Sequence, residues 1–424
     1  MSKATNKFFE KKKDWSITKD GILGSYLTPY FSKMLAYRRP ICYIDCFAGK
    51  GKFDDGSDGS PLIALECIKK DLTMTNYFGQ RIKTYFIELN YYKNLESNLS
   101  EAHADNLDVE VVGGKFEDNI DRILNNHLLD TIFLYVDPYG IKALDIGKFC
   151  SFKTNESKSV EMLINFNTWG FFREACRVLK ADFKLDDEIS SYLIEYEPTN
   201  DINREELSKI VGGDFWINIV CDFKNKVISQ KEAEKRLANG IADSLKSKYK
   251  YVLNVPVKSN PDNIVPKYRL FHVTNHEEGC LIMADIMYKR INESFERQQG
   301  GQMSIFDFTT EGNLESQENT KQMIKETLPD NPIHLNSFLC EFFTKFGIET
   351  GSSKLIEYIK DLESEGFLTI NRIPHKTKTG QKSTFTRESK KQKVVLIKVG
   401  NKKRKPSFEN LYCIKQALSM EITQ

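Results

Sequence analysis

Two carboxylates at the ends of apolar runs are the residues best placed to do chemistry. The string Tyr43-Ile44-Asp45-Cys46-Phe47-Ala48-Gly49-Lys50-Gly51-Lys52 carries a hydrophobic stretch to an acid and then into a Gly-x-Gly turn. A second run, Thr131 to Val136, leads into Asp137-Pro138-Tyr139-Gly140. Two acid-tipped strands in one parallel sheet can set a cofactor beside a substrate at the carboxyl edge. The spacing points to methyl transfer from S-adenosylmethionine (SAM). SAM needs no phosphate cradle, because its handles are an adenine, a ribose diol and an ammonium-bearing tail beside a sulfonium. Asp45, Phe47, Ala48, Gly49 and Gly51 are expected at the methionine end, and Glu88, at the tip of a second strand, at the ribose hydroxyls. Lys115 and Phe116, just past a third strand, are expected at the adenine, with Phe116 stacking on it. The nucleotide alternatives fail within the string. A dinucleotide motif would need its third glycine at Asp54, and a phosphate loop would need Gly-Lys-Ser/Thr where this chain has Gly51-Lys52-Phe53.

Asp137, Pro138, Tyr139 and Gly140 form the expected catalytic corner. An exocyclic base amine is a poor nucleophile because its lone pair is delocalised into the ring, so the enzyme must hold the N–H groups and turn that lone pair toward the methyl. The Asp137 carboxylate and the Pro138 carbonyl suit that task, and Tyr139 can stack on the base, worth ~1–3 kcal/mol per base. The remaining catalysis is positioning and electrostatics. Asn165, Asn167 and Trp169 end the next strand and are candidates for the same cleft; the two asparagines read equally well as turn residues. The six histidines show no metal-ligand spacing, and no metal site is expected.

These residues need a sheet to hold them. Helical spacing of Ile22, Leu23, Tyr26, Leu27, Tyr30, Phe31, Met34 and Leu35 predicts an amphipathic helix ahead of strand Ile41–Asp45. After a long Gly/Asp loop, Ser60-Pro61 opens a helix. Strands then alternate with helices: Lys83–Glu88, helix 91–106, Val109–Val112, helix 119–126, Thr131–Asp137, Glu161–Phe166. The expectation is a doubly wound α/β sheet of Rossmann type. Residues 171–250 read as a helical insertion, broken at Gly212-Gly213, that caps the sheet edge and selects substrate. Tyr251–Lys258 and Tyr268–Thr274 close the sheet as an antiparallel hairpin, followed by a helix from Glu277 to about 296, which completes a first domain over 1–297.

Residues 298–319 read as a polar linker. Within it, Gln302-Met303-Ser304-Ile305-Phe306 resembles the pentapeptide with which bacterial proteins dock on the DNA polymerase sliding clamp. Residues 320–424 read as a winged helix-turn-helix, with helices at 323–328, 335–346 and 352–365 and a two-stranded wing, Phe367–Arg372 and Val394–Val399. From Gly366 to the last residue there are 14 Lys/Arg against 3 Asp/Glu, although the whole chain carries only +2. That basic wing and tail, with Lys376, Lys378, Lys382 and Arg387, is the expected electrostatic footprint for DNA or RNA; a solvated basic tail is the plainer reading. Nine cysteines without a C-x-x-C pair point to reduced thiols. The Lys-rich start lacks an apolar core and no run of about 18 apolar residues occurs, so a cytoplasmic chain without a membrane role is expected.

Several strings together resemble a family. They are Ile22-Leu23 to Leu27, Tyr43 to Gly51, Gly59-Ser60-Pro61-Leu62-Ile63-Ala64-Leu65, Val136 to Gly140, and Phe271 to His276 with the helix after it. They are similar to the three-Cys-motif partner proteins (TcmP). The resemblance implies a bacterial, SAM-methyltransferase-like fold, and as a partner a radical-SAM-like protein that itself bears the three cysteines. The Asp-Pro-aromatic-Gly corner also resembles that of tRNA guanine-N2 methyltransferases. The leading expectation is a SAM-dependent methyltransferase acting on an exocyclic base amine of nucleic acid. Two alternatives stay open: a non-catalytic nucleic-acid-binding or SAM-sensing protein, and a methyltransferase acting on a protein or small molecule.

Overall fold

The computed structural model describes residues 10–399 except 75–81, 103–106, 153–158, 182–201, 261–262, 264–265, 299–309, 377–379, 386–387 and 390. Two compact units make up the chain: Met1–Asp307 with Cys340–Ser352, and Phe308–Leu339 with Ser353–Gln424. The first unit opens with α1 (Asp14–Ala36) and β1 (Ile41–Asp45), then α2 (Ser60–Met74), β2 (Ile82–Glu88), α3 (Tyr92–Glu101), β3 (Val109–Gly113), α4 (Phe116–Asn126), β4 (Thr131–Val136), α5 (Ile146–Ser151) and β5 (Val160–Phe166). Four helices follow, α6 (Thr168–Val178), α7 (Arg204–Val211), α8 (Phe215–Lys224) and α9 (Gln230–Lys246), before β6 (Tyr251–Val257), β7 (Tyr268–Thr274) and α10 (Glu277–Gln298).

The seven strands lie in the order β3-β2-β1-β4-β5-β7-β6. β1 pairs in parallel with β2 on one side and β4 on the other, so the chain winds outward through β3 and then crosses back over β1. This reversal opens a crevice at the carboxyl ends of β1 and β4. β7 alone runs against its neighbours β5 and β6, giving the expected closing hairpin. Strands covered on both faces must be apolar throughout rather than alternating, and every residue of β1, β4 and β5 is buried.

One face of the sheet is an aromatic layer that sets α1 in place. Tyr26, Tyr30 and Phe31 of α1 meet Tyr43 and Phe133, with Tyr43 stacked on Phe133 at 6.1 Å between centroids. Each such pair adds ~0.5–1.5 kcal/mol beyond area burial. The other face packs Cys42, Ile44, Leu134 and Ile164 into one core with Trp216, Leu237 and Ile241. Here the structure changes the reading of the 171–250 insertion. Leu237, Ile241 and Leu245 recur along α9 at helical spacing and are buried, so the insertion covers a sheet face. Among the described residues, none of its side chains reaches the crevice. Gly212 ends α7 in a left-handed conformation, φ 79°, which accounts for the break seen in the sequence.

The second unit contains α11 (Thr310–Thr327), β8 (Ile333–His334), the start of α12 (Leu335–Phe346), α13 (Ser352–Ser364), β9 (Leu368–Ile373) and β10 (Lys393–Lys398). Its strands form an antiparallel sheet in the order β8-β10-β9, and Lys376 bridges to Lys382 between β9 and β10. α11 opens at Thr310, inside the stretch read as linker; Leu314 is the only aliphatic residue between 310 and 322, too little for a periodic signal. The Gln302–Phe306 knot, Lys378 and Arg387 lie outside the described residues.

Candidate cofactor and methyl-acceptor site

The crevice over β1, β2 and β4 holds a cavity of about 480 Å³. Its floor is the turn after β1. Gly49 and Gly51 adopt φ of 63° and 81°, and a Cβ on Gly51 would lie 2.8 Å from Leu95 Cδ1, so backbone rather than side chain faces the space there. The turn is tied to neighbouring strands, with Cys46 N donating to Tyr135 O at 2.9 Å and Ala48 N to Ile87 O at 3.0 Å. Glu88 pins it further: Gly49 N donates to Oε2 at 2.8 Å, and Asn90 N and Tyr91 N donate to Oε1 at 2.8 and 3.1 Å. Phe47, Ala48, Glu88, Lys115 and Phe116 all line the cavity with the two glycines. Phe47 and Phe116 lie 5.3 Å apart between ring centroids.

Asp45 sits beneath this floor and not on the cavity wall. It is fully buried, accepting from Ser60 Oγ at 2.6 Å and Phe47 N at 3.3 Å. Burial pushes its carboxyl up to about 7, against the pull of those two hydrogen bonds and with the help of nearby Asp137 and Asp20. Asp45 thus shapes the turn through Phe47 and α2 through Ser60.

Asp137, Pro138 and Tyr139 line the opposite wall, with Tyr139 half exposed and Gly140 turning the chain at φ 94°. Asp137 is not an open carboxylate. Lys19 Nζ donates to Oδ1 and Oδ2 at 2.9 and 2.8 Å, Asn165 Nδ2 to Oδ1 at 2.6 Å, and Tyr135 OH to Oδ2 at 3.2 Å. Asn165 therefore acts on the corner through Asp137, while Asn167 caps α6 by accepting from Gly170 N at 2.8 Å. Trp169 is buried, and neither Asn167 nor Trp169 reaches the cavity.

The sequence reading missed a wall contributed by α1. Ser16, Lys19 and Asp20 line the cavity, as does Tyr268 at the start of β7. The signal was present: Trp15, Lys19, Ile22, Leu23 and Tyr26 share one helical stripe, and a lysine inside an apolar stripe needs a buried partner. A further wall comes from the Gly/Asp loop, which folds on itself, with Lys52 bridging to Asp58 and Phe53 N donating to Ser57 O at 2.8 Å. Lys12 straps that loop to α1. Its N donates to Asp55 Oδ2 at 3.1 Å, its Nζ to Asp58 O at 2.7 Å, and the same Nζ lies 2.6 Å from Asp20 Oδ2.

No known family model matches this chain, and no curated protein does. Among solved structures, a geranyl diphosphate methyltransferase in complex with GPP and sinefungin aligns with 58% of this chain and 78% of its own, at 10% identity and a TM-score of 0.25. PKMT2 from Rickettsia typhi aligns with 60% of this chain and 53% of its own, at 9% identity and a TM-score of 0.27. Superpositions this loose carry no argument about chemistry. What defines the class is the strand order, a Rossmann-like, mostly parallel α/β sheet with its crevice at the switch point.

Proposed function

We propose that this chain is a SAM-dependent methyltransferase, with the donor over the Gly49–Gly51 turn and the methyl acceptor against Asp137-Pro138-Tyr139-Gly140. The observation that supports it is a single cavity at the switch point that collects a bare-backbone turn, the Glu88 carboxylate, the Phe116 ring and the Asp137 corner. Each handle of SAM meets matching chemistry. In this reading the turn admits the methionine tail, Glu88 takes the ribose diol, and Phe116 stacks on the adenine. Bound SAM supplies an electrophilic methyl on sulfur; the chain's own contribution is to hold donor and methyl acceptor in line.

Calorimetry with SAM and S-adenosylhomocysteine, followed by transfer of labelled methyl to DNA, tRNA and rRNA, tests the reading. Binding in the micromolar range of ordinary enzyme ligands is expected, and absence of binding overturns it. Asp137→Ala should abolish transfer and leave SAM affinity near normal, whereas Asp45→Ala should weaken SAM.

The nucleic-acid part of the reading draws on the second unit, which we read as a winged helix from its helices and small antiparallel sheet, and on the 14-to-3 excess of basic residues after Gly366. Affinity for polymer that falls steeply with salt would support it, since several phosphate contacts release counterions; a flat response removes the polymer. A radical-SAM-like three-cysteine protein and a sliding clamp docking on Gln302–Phe306 are the protein partners proposed with it. A base amine as methyl acceptor asks Asp137 to exchange its lysine for substrate N–H groups.

A further inference from the structure

From the Asp137 corner, and resting on the methyltransferase reading above, we infer that the methyl acceptor is an anionic oxygen, of carboxylate or phenolate type, held by Lys19. A carboxylate offers about four lone-pair positions. In Asp137 these are matched by four donated hydrogen bonds, two from Lys19, one from Asn165 and one from Tyr135. The corner therefore has little accepting capacity left for an amine. Its spare capacity is a donor: an ammonium carries three N–H groups, and Lys19 directs two at Asp137 with no other hydrogen-bond partner among the described residues. Lys19 is only 4% exposed yet lines the cavity. Because the ammonium is held at the cavity wall, its third N–H can serve a ligand oxygen.

Its position is fixed from three sides. Asp137 holds the nitrogen, the Tyr268 ring lies 4.8 Å from it, and the aromatic layer anchors the helix that bears it. Charge favours the same substrate. A neutral amine turns cationic as it takes the methyl and must then shed a proton, for which Asp137, already holding four donated hydrogen bonds, has no free lone pair, whereas an oxyanion loses its charge as the sulfonium loses its own. In that step the O–CH₃ bond forms from an oxygen lone pair, the C–S bond breaks, and its electron pair stays on sulfur as the neutral thioether. No proton has to leave and no co-reactant is needed.

Benzoate and benzylamine, titrated calorimetrically into protein saturated with S-adenosylhomocysteine, separate the two chemistries. Benzoate should bind at least about tenfold more tightly than benzylamine. Lys19→Met should lose benzoate binding while S-adenosylhomocysteine still binds, and Lys19→Arg should retain benzoate. Asp137→Asn, which frees the ammonium, should tighten benzoate; an amine site predicts the opposite sign, so this variant decides the matter even if Lys19→Met folds poorly. Preference for benzylamine, no benzoate binding, or benzoate binding indifferent to Lys19 overturns the inference. Failure of S-adenosylhomocysteine itself to bind would instead overturn the methyltransferase reading.

Discussion

Asp45 shows how a single buried acid ties stability to binding. Its carboxyl is raised from 3.8 to about 7, so folding favours the protonated form. The stability this provides is fully present below about pH 3.8 and is lost as pH rises through 7. A rise of that size corresponds to ~4 kcal/mol. Asp45→Asn keeps the position neutral, so it should raise the melting temperature at pH 8 and change it little at pH 4, as differential scanning calorimetry would show. The same group gives SAM binding a pH dependence. A cation over the turn favours the carboxylate, so affinity should climb up to about pH 7 and level off above it, with protons released on binding. Asp45→Asn should flatten that profile; a wild-type affinity independent of pH between 5 and 8 would disconnect Asp45 from the cofactor.

At the scale of elements, the loop between β1 and α2 forms one wall of the cavity. Lys12 bonds it at both Asp55 and Asp58 while pairing with Asp20 of α1. Lys12→Ala should speed hydrogen exchange at the Phe53 and Gly56 amides and weaken SAM several-fold, with less than about 1 kcal/mol lost in global stability. Unchanged exchange at those amides would show that the loop holds its shape alone. The sheet was legible because parallel strands buried on both faces must be near-continuous apolar runs, and β1 to β7 all fall within a residue of their expected bounds. The six-residue α5 and two-residue β8 were not read, being too short for a periodic signal. The charged helices of the insertion read as a cap on the sheet edge, whereas burial of Ala233, Leu237 and Ile241 lays α9 on a sheet face. Glu88 and Asp137 are legible as strand tips, whereas Lys19 is not, because a lysine in an apolar helical stripe carries no mark of the partner it buries against.

Across the first unit as a whole, the chemistry lies at the carboxyl edge of the sheet and a second buried charge cluster lies at the opposite edge, where β5 begins. Glu161 accepts from Tyr26 OH at 2.5 Å, and its Oε2 is 3.4 Å from His272 Nε2. Burial alone would raise this carboxyl, but His272 and Tyr26 outweigh it and hold Glu161 below its usual range. A depressed folded value stabilises the protein above the unfolded value of 4.5 and loses that effect as pH falls through the folded one. This is the reverse of Asp45. The two windows meet near pH 4 to 5, so the contribution of Asp45 should decline from there toward neutrality and that of Glu161 toward strong acid. Glu161→Gln removes one member of a buried cluster and should cost ~3–5 kcal/mol at pH 7, a gap that narrows below about pH 4.5. Because Glu161 lies across the sheet from the cavity, the variant should bind S-adenosylhomocysteine within about twofold of wild type, as expected for sites that share no partners. Thermal melts at pH 3.5, 5 and 7.5 with parallel calorimetry measure both effects. Loss of ligand binding in Glu161→Gln, with the fold intact by circular dichroism, would mean that the two edges are coupled through α1, the helix that carries both Tyr26 and Lys19.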